Sequence, residues 1–176
     1  KSTTLASLLE RINVTKRSHI ITLEDPVEYV FESKSCLVEQ RELGKDMPSF
    51  ASGLKHALRQ DPDIILVGEM RDLETTSLAI SAAETGHLVL STLHTVNASQ
   101  TVERIVDMYP ANQQSQVRSM LANTLKAVIS QTLLPKIGGG MVPAVEVLLC
   151  NPAVRNIIRE SRTFEIPNVI ETSSRK

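Results

Sequence analysis

Ile64-Ile65-Leu66-Val67-Gly68-Glu69 sets four consecutive apolar side chains between Asp61-Pro62 and a glycine followed by a carboxylate. A strand wetted on one face alternates apolar and polar residues, whereas one covered on both faces is apolar throughout. The run therefore predicts a buried strand of a parallel sheet whose carboxyl end delivers Glu69. Working outward, residues 20–23 form a second short apolar run, closed by Glu24-Asp25-Pro26, where proline lacks the N–H that a ladder needs. Residues 88–93 form a third, closed by His94. Between these runs the apolar period becomes helical. Leu5, Leu8, Leu9 and Ile12 share one stripe, as do Phe50, Leu54, Ala57 and Leu58 within residues 49–59. Residues 73–85 read as a further helix, and Gly86 suits the left-handed position after it. Strand and helix alternate over roughly the first 100 residues, which predicts an α/β fold of right-handed βαβ units, a mostly parallel sheet with helices on both faces. Ligands of such sheets bind beyond the carboxyl ends of the strands. Glu24, Asp25, Glu69 and His94 all follow predicted strands and are expected on that one rim.

Farther along, residues 99–108 and 113–134 read as helices, the second with Val117, Leu121, Leu125, Val128 and Ile129 on one stripe. Gly138-Gly139-Gly140 is a turn, residues 142–149 a strand, and residues 152–160 and 167–171 short helices. The expected organisation is an α/β core over residues 1–150 and the beginning of a helical C-terminal region over 151–176. A chain of 176 residues, 41% apolar and 22% charged, has the makings of one globular domain, which excludes disorder. Five aromatics and no Trp leave the core to Ile, Leu, Val and Ala. No apolar run reaches the ~18 residues of a membrane span. The net charge of −1 comes without a basic run, so a nucleic-acid surface is not indicated. Cys36 and Cys150 form neither a CxxC pair nor a disulfide framework, which points to buried, inert thiols in a reducing compartment, the cytoplasm. The chain opens at Lys1 inside a helical pattern and reads as a fragment.

Several residue groups could carry chemistry. Lys1-Ser2-Thr3 at a helix start is either a solvated helix end or the tail of a phosphate-binding P-loop. In a P-loop the Lys reaches phosphate oxygens and the hydroxyl binds Mg²⁺, while glycines upstream cradle the phosphates. Those glycines would precede Lys1. Residues 64–69 have the form of a Walker B strand, in which a carboxylate at the position of Glu69 orients or deprotonates the water attacking a γ-phosphate. The alternative is a strand-end glutamate paired to Arg71 or exposed. Glu24 and Asp25, with Glu28 close behind, offer hard oxygen ligands for Mg²⁺, or else form a solvated turn. His87 and His94, seven residues apart across one strand, point to opposite faces and cannot share a metal; on spacing alone His87 is a structural histidine. His19 and His56 carry no signal, and the arginines read singly as surface ion pairs.

The fifteen positions Leu58-Arg59-Gln60-Asp61-Pro62-Asp63-Ile64-Ile65-Leu66-Val67-Gly68-Glu69-Met70-Arg71-Asp72 closely resemble the signature of the type II secretion and type IV pilus ATPases. Ile21-Thr22-Leu23-Glu24-Asp25-Pro26-Val27-Glu28-Tyr29 is similar to that family's Asp box. Thr85-Gly86-His87-Leu88-Val89-Leu90-Ser91-Thr92-Leu93-His94-Thr95 is similar to its His box, and Lys1-Ser2-Thr3-Thr4 to the end of its Walker A motif. Gln131-Thr132-Leu133-Leu134-Pro135-Lys136 runs into three glycines without the CxxC zinc insert of many extension and secretion members, so no protein-only metal site is expected. Gln40-Arg41-Glu42-Leu43-Gly44, residues 104–110 and Val154-Arg155-Asn156-Ile157-Ile158-Arg159-Glu160 resemble the twitching-motility retraction branch. Val154 and Lys126 depart from residue types common there.

The resemblance implies a RecA-like P-loop NTPase core within a homohexamer, with ATP and Mg²⁺ as ligands. It implies Lys1, Ser2 and Thr3 at the phosphates and Mg²⁺, Glu69 as catalytic carboxylate, Glu24 and Asp25 supporting metal and water, and His87 and His94 as nucleotide-state sensors. It further implies an N-terminal PAS-like domain supplying arginines across a subunit boundary and a helical C-terminal tail, both outside this chain. The partner would be an inner-membrane pilus platform protein and the location the cytoplasmic face of the bacterial inner membrane, peripheral and not inserted, with no nucleic acid involved. The expected activity is ATP hydrolysis driving pilus retraction. Rival readings are a pilus-extension or type II secretion ATPase, a non-hydrolysing nucleotide-binding assembly subunit, and, against the near-neutral charge, a DNA translocase.

Overall fold

A computed structural model describes residues 1–173. It divides into two compact units, residues 1–93 and the residues from His94 onward. The first contains α1 (Ser2–Thr15), β1 (His19–Glu24), β2 (Leu37–Glu42), α2 (Phe50–Ala57) with a 3-10 turn at Leu58–Gln60, β3 (Ile64–Val67), α3 (Leu73–Glu84) and β4 (Leu88–Ser91). The four strands form one parallel sheet in the order β2-β1-β3-β4. β3 is central, and all four of its residues are buried, as its unbroken apolar run predicts.

Strand alternation sends these apolar side chains to two separate layers. Ile21 and Leu23 of β1 join Ile65 and Val67 of β3 against Leu54 and Ala57 of α2 and Ala79 and Ala82 of α3. On the other face Ile20, Ile64 and Leu66 pack with Leu9 of α1 and Cys36, backed by Leu5 and Ile12. The sheet thus carries helices on both faces. Side chains place the helix ends: Ser49 Oγ accepts from Ser52 N–H at the start of α2, and Asp72 Oδ1 accepts from Thr75 N–H at the start of α3. Asp61 ends the helical stretch before Pro62 with φ of 53°, and Gly86 follows α3 with φ of 105°, the left-handed conformation expected of it.

The sequence reading places no strand at β2, although Gln40-Arg41-Glu42 within it belong to a stretch that resembles the retraction branch. Four of its six residues, Glu39 to Glu42, are polar, because it is the edge of the sheet, half-solvated and without the apolar run that marks a covered strand.

In the second unit, α4 (Ala98–Val106) and α5 (Ala111–Thr124) are followed by β5 (Ala127–Pro135), β6 (Met141–Leu149), α6 (Pro152–Arg159) and α7 (Ile166–Ser173). The helix expected over residues 113–134 is overturned beyond Thr124. Leu125 adopts φ of −61° and ψ of 124°, and residues 127–135 pair antiparallel with 141–149. Val128 and Ser130 are buried while Ile129 is exposed, a period of two. Leu121, Leu125 and Val128, at spacings of four and three, keep the helical period and not the extended one, so pairing with the strand that the Gly138–Gly140 turn brings back overrides the local pattern. That turn, the strand over 142–149 and the two short C-terminal helices agree with the sequence reading. β5 and β6 form a sheet of their own, within the unit that begins at His94. The second unit is held by a bidentate ion pair, Arg118 to Glu103 at 3.0 and 2.7 Å, with Thr163 also donating to Glu103. The guanidinium holds the Glu103 carboxyl below the usual carboxylate range. Both cysteines are buried, and burial pushes the Cys150 thiol up to about 11, which keeps it protonated and unreactive. No helix among the described residues is long and apolar enough to cross a membrane.

Candidate functional site

Backbone bonds tie the carboxyl ends of the parallel strands together. Gly68 donates its N–H to Leu23 O at 2.7 Å, and Met70 N–H reaches Thr92 O at 3.4 Å. Thr92 Oγ1 donates to Gly68 O at 2.6 Å. Glu24, Glu69 and Leu93 therefore share one rim. The approach at Gly68 leaves little space: a Cβ there would lie 3.1 Å from Leu23 O and 3.5 Å from Glu24 Cα. Gly68→Ala is accordingly expected to destabilise the protein by about 1 to 3 kcal/mol through overpacking, read as a lower denaturation midpoint with an unchanged slope. A wild-type midpoint would show that the two strand ends are free to separate.

The start of α1 is brought to this rim from far away in sequence. Lys1 Nζ donates to Leu93 O at 2.5 Å, Ser2 Oγ donates to Glu28 Oε1 at 3.0 Å, and the hydroxyls of Thr3 and Tyr29 lie 3.1 Å apart. No side chain caps α1, so the positive end of its dipole and its first N–H groups face the same region as the Lys1 ammonium. A cation, a hydroxyl and a helix start in one place make a recognisable anion-binding arrangement.

The acidic residues meet it from the sheet. Glu24 Oε1 accepts from Thr22 Oγ1 at 2.7 Å and from Gln40 Nε2 at 3.0 Å, which holds the carboxylate in one position at the end of β1. Asp25 is exposed next to it. Glu42 Oε2 accepts from Val27 N–H at 3.1 Å; Lys45 and this N–H hold its carboxyl below the usual range. Glu69 Oε2 lies 2.7 Å from Arg71 Nε, with the glutamate side chain 16% exposed and the arginine 72%. The pairing to Arg71 that the sequence leaves open is thus present, yet an ion pair with so exposed a partner exchanges readily with solvent or another anion.

One expected site residue, His87, is not brought to this group. His87 sits at the opposite, amino end of β4, about 13 Å of strand away from the rim. Its Nδ1 lies 2.9 Å from Ala82 O and 3.2 Å from Thr85 Oγ1; since a carbonyl only accepts, Nδ1 carries the proton. These contacts place the His87 ring in the turn between α3 and β4. His94, exposed, opens the second unit directly after Leu93. Among the described residues no group of three or more His, Cys, Asp or Glu side chains could enclose a metal. Conversely, Tyr29 and Gln40 gain partners at the rim that sequence separation conceals.

Comparison with known proteins identifies the family. The profile of the family described as "Type II/IV secretion system protein" matches residues 1–163. The "Type IV pilus retractation ATPase PilT" of Pseudomonas aeruginosa is 57% identical over 172 residues, covering 98% of this chain and 50% of the relative. The "Twitching motility protein" of Neisseria gonorrhoeae is 56% identical over 173 residues, covering 98% and 46%. Among solved structures, "Crystal Structure of the Pilus Retraction Motor PilT and Bound ADP" superposes with a TM-score of 0.94 at 57% identity, covering 98% of this chain and 50% of that one. The chain thus spans about half the length of the curated relatives it matches. The RecA-like α/β fold follows from the same match. With the family profile matching residues 1–163 and relatives more than half identical over 98% of its length, the chain belongs to the type II/IV secretion system protein family.

Proposed function

We propose that this chain is the ATP-hydrolysing domain of a hexameric motor that retracts a type IV pilus at the cytoplasmic face of the bacterial inner membrane, acting on an inner-membrane platform protein. The observation that carries the reading is the gathering of Lys1, Ser2 and Glu28 with Glu24 and Glu69 at one sheet edge. The ADP named with the retraction motor at 57% identity supports a nucleotide there.

In this reading the Lys1 ammonium and the first N–H groups of α1 bind the β- and γ-phosphates of ATP. Ser2 Oγ and the Glu28 carboxylate, 3.0 Å apart, are hard oxygen donors of the kind Mg²⁺ takes. Ser2 and Glu28 would hold the cation together with the phosphates, Glu24 and Asp25 acting through water. Neutralisation of charge on the phosphate oxygens is the chemistry such a cation supplies when bound. Glu69 leaves its exposed partner Arg71, orients the attacking water and takes its proton. Thr3, bonded to Tyr29, keeps the acidic loop against the helix start. His94, at the junction of the two units, senses the nucleotide state, while His87 orders a turn. Loss of the γ-phosphate removes negative charge from the rim and shifts a two-state equilibrium between domain arrangements, the step that does mechanical work.

The test is Mg²⁺-dependent ATP hydrolysis by the full-length protein together with a deletion strain. Hydrolysis and an excess of unretracted pili are expected. Loss of pili or of protein export on deletion would instead assign an extension or secretion motor, and nucleotide binding without turnover an assembly subunit.

A further inference from the structure

The edge strand β2 carries none of the site residues expected from the sequence, yet its Gln40 side chain bonds Glu24, Tyr29 and Phe31. Thr22, Glu24, Gln40 and Glu42 lie on the sheet face that α1 covers, since Gln40 pairs in register with Thr22 and alternation keeps residues two apart together. The loop after β1 folds over this face. Gln40 Nε2 donates to Glu24 Oε1 at 3.0 Å and to Tyr29 O at 2.8 Å, and Gln40 Oε1 accepts from Phe31 N–H at 2.8 Å. Two acceptors against the amide nitrogen and one donor against its oxygen leave a single orientation satisfied. Between the bonded residues Glu24 and Tyr29 lies Glu28, whose carboxylate meets Ser2.

We propose that Gln40 is a positioning residue for the nucleotide chemistry, one side-chain amide holding both the Glu24 carboxylate and the Glu28-bearing loop in register with the start of α1. The proposal rests on the reading of this rim as an ATP site. Lys1 and the α1 backbone do not depend on Gln40, so phosphate binding survives its loss. Carboxylates that meet Mg²⁺ and water move, and displacement of such groups by about 1 Å costs up to roughly 100-fold in rate.

The experiment uses the full-length protein with Gln40→Glu and Gln40→Met. The first keeps size and shape but turns the donor that faces Glu24 and Tyr29 O into an acceptor; the second keeps length and removes all three bonds without adding charge. Both are expected to lower kcat by about tenfold or more with KM for ATP within about twofold. The Mg²⁺ concentration for half-maximal rate rises in both, further in Gln40→Glu, whose added charge repels Glu24. Melting curves give the folded fraction, to which rates are normalised. A purely structural role would lower the melting temperature and leave the normalised kcat and the Mg²⁺ half-saturation at wild-type values, and that result would overturn the proposal while leaving the ATP reading intact. Absence of hydrolysis in the wild-type protein would overturn both.

Discussion

Glu69→Gln in the full-length protein is expected to bind ATP as the wild type does and to hydrolyse it about 100- to 10,000-fold more slowly, the range that a positioned general base supplies. The substitution is isosteric, so the backbone that places residue 69 persists: the Gly68 N–H to Leu23 O and Thr92 Oγ1 to Gly68 O bonds do not involve the side chain. What is lost is the carboxylate's capacity to take a proton from water. The ion pair with Arg71 goes as well, but with the arginine 72% exposed little stability rests on it. Rate and affinity are thereby separated. A fluorescent ATP analogue titrated against the variant gives a wild-type dissociation constant, and phosphate release in the presence of Mg²⁺ gives the rate. Wild-type turnover would remove Glu69 from the chemistry and leave its pairing with Arg71 as its whole function.

Lys1→Ala has the opposite signature. The Lys1 ammonium already reaches the end of β4, 2.5 Å from Leu93 O, at the uncapped start of α1. In the proposed complex it meets the phosphates, a charge pair largely withdrawn from water. Truncating one member of such a pair costs on the order of 2 to 5 kcal/mol, roughly 30-fold or more in dissociation constant. The same titration should therefore show ATP affinity collapsing, with hydrolysis lost for want of bound substrate. Retained affinity would mean that the helix start is a solvated end. The two variants together divide the rim into a part that binds and a part that reacts.

The parallel sheet is legible because burial on both faces writes itself as an uninterrupted apolar run, and β3 has one. The rim follows from strand order and direction, so Glu24 and Glu69 could be placed together before any coordinates. β2 lacked that signature, since an edge strand satisfies half of its surroundings with water and its residues alternate too weakly to be told from a loop. β5 was misread for a different reason. Leu121, Leu125 and Val128 keep the helical spacing into this segment, and only pairing with β6 overrides it and selects the strand.

Local chemistry in the chain determined which residue types could bind phosphate or move a proton, because a helix start, a strand end and a glycine turn are short-range features that sequence encodes directly. Tertiary structure alone decided which of them meet. Ser2 and Glu28 stand 26 positions apart, and Gln40 lies 16 beyond Glu24; their contacts depend on the edge strand lying beside β1 and on the loop folding over one sheet face. His87 shows the converse, a motif residue that the sheet carries to the opposite edge. The physical reason is common to all three. Hydrogen bonds act over about 3 Å, and nothing in a linear order of residues reports which side chains the packing of two covered sheet faces will bring within that distance.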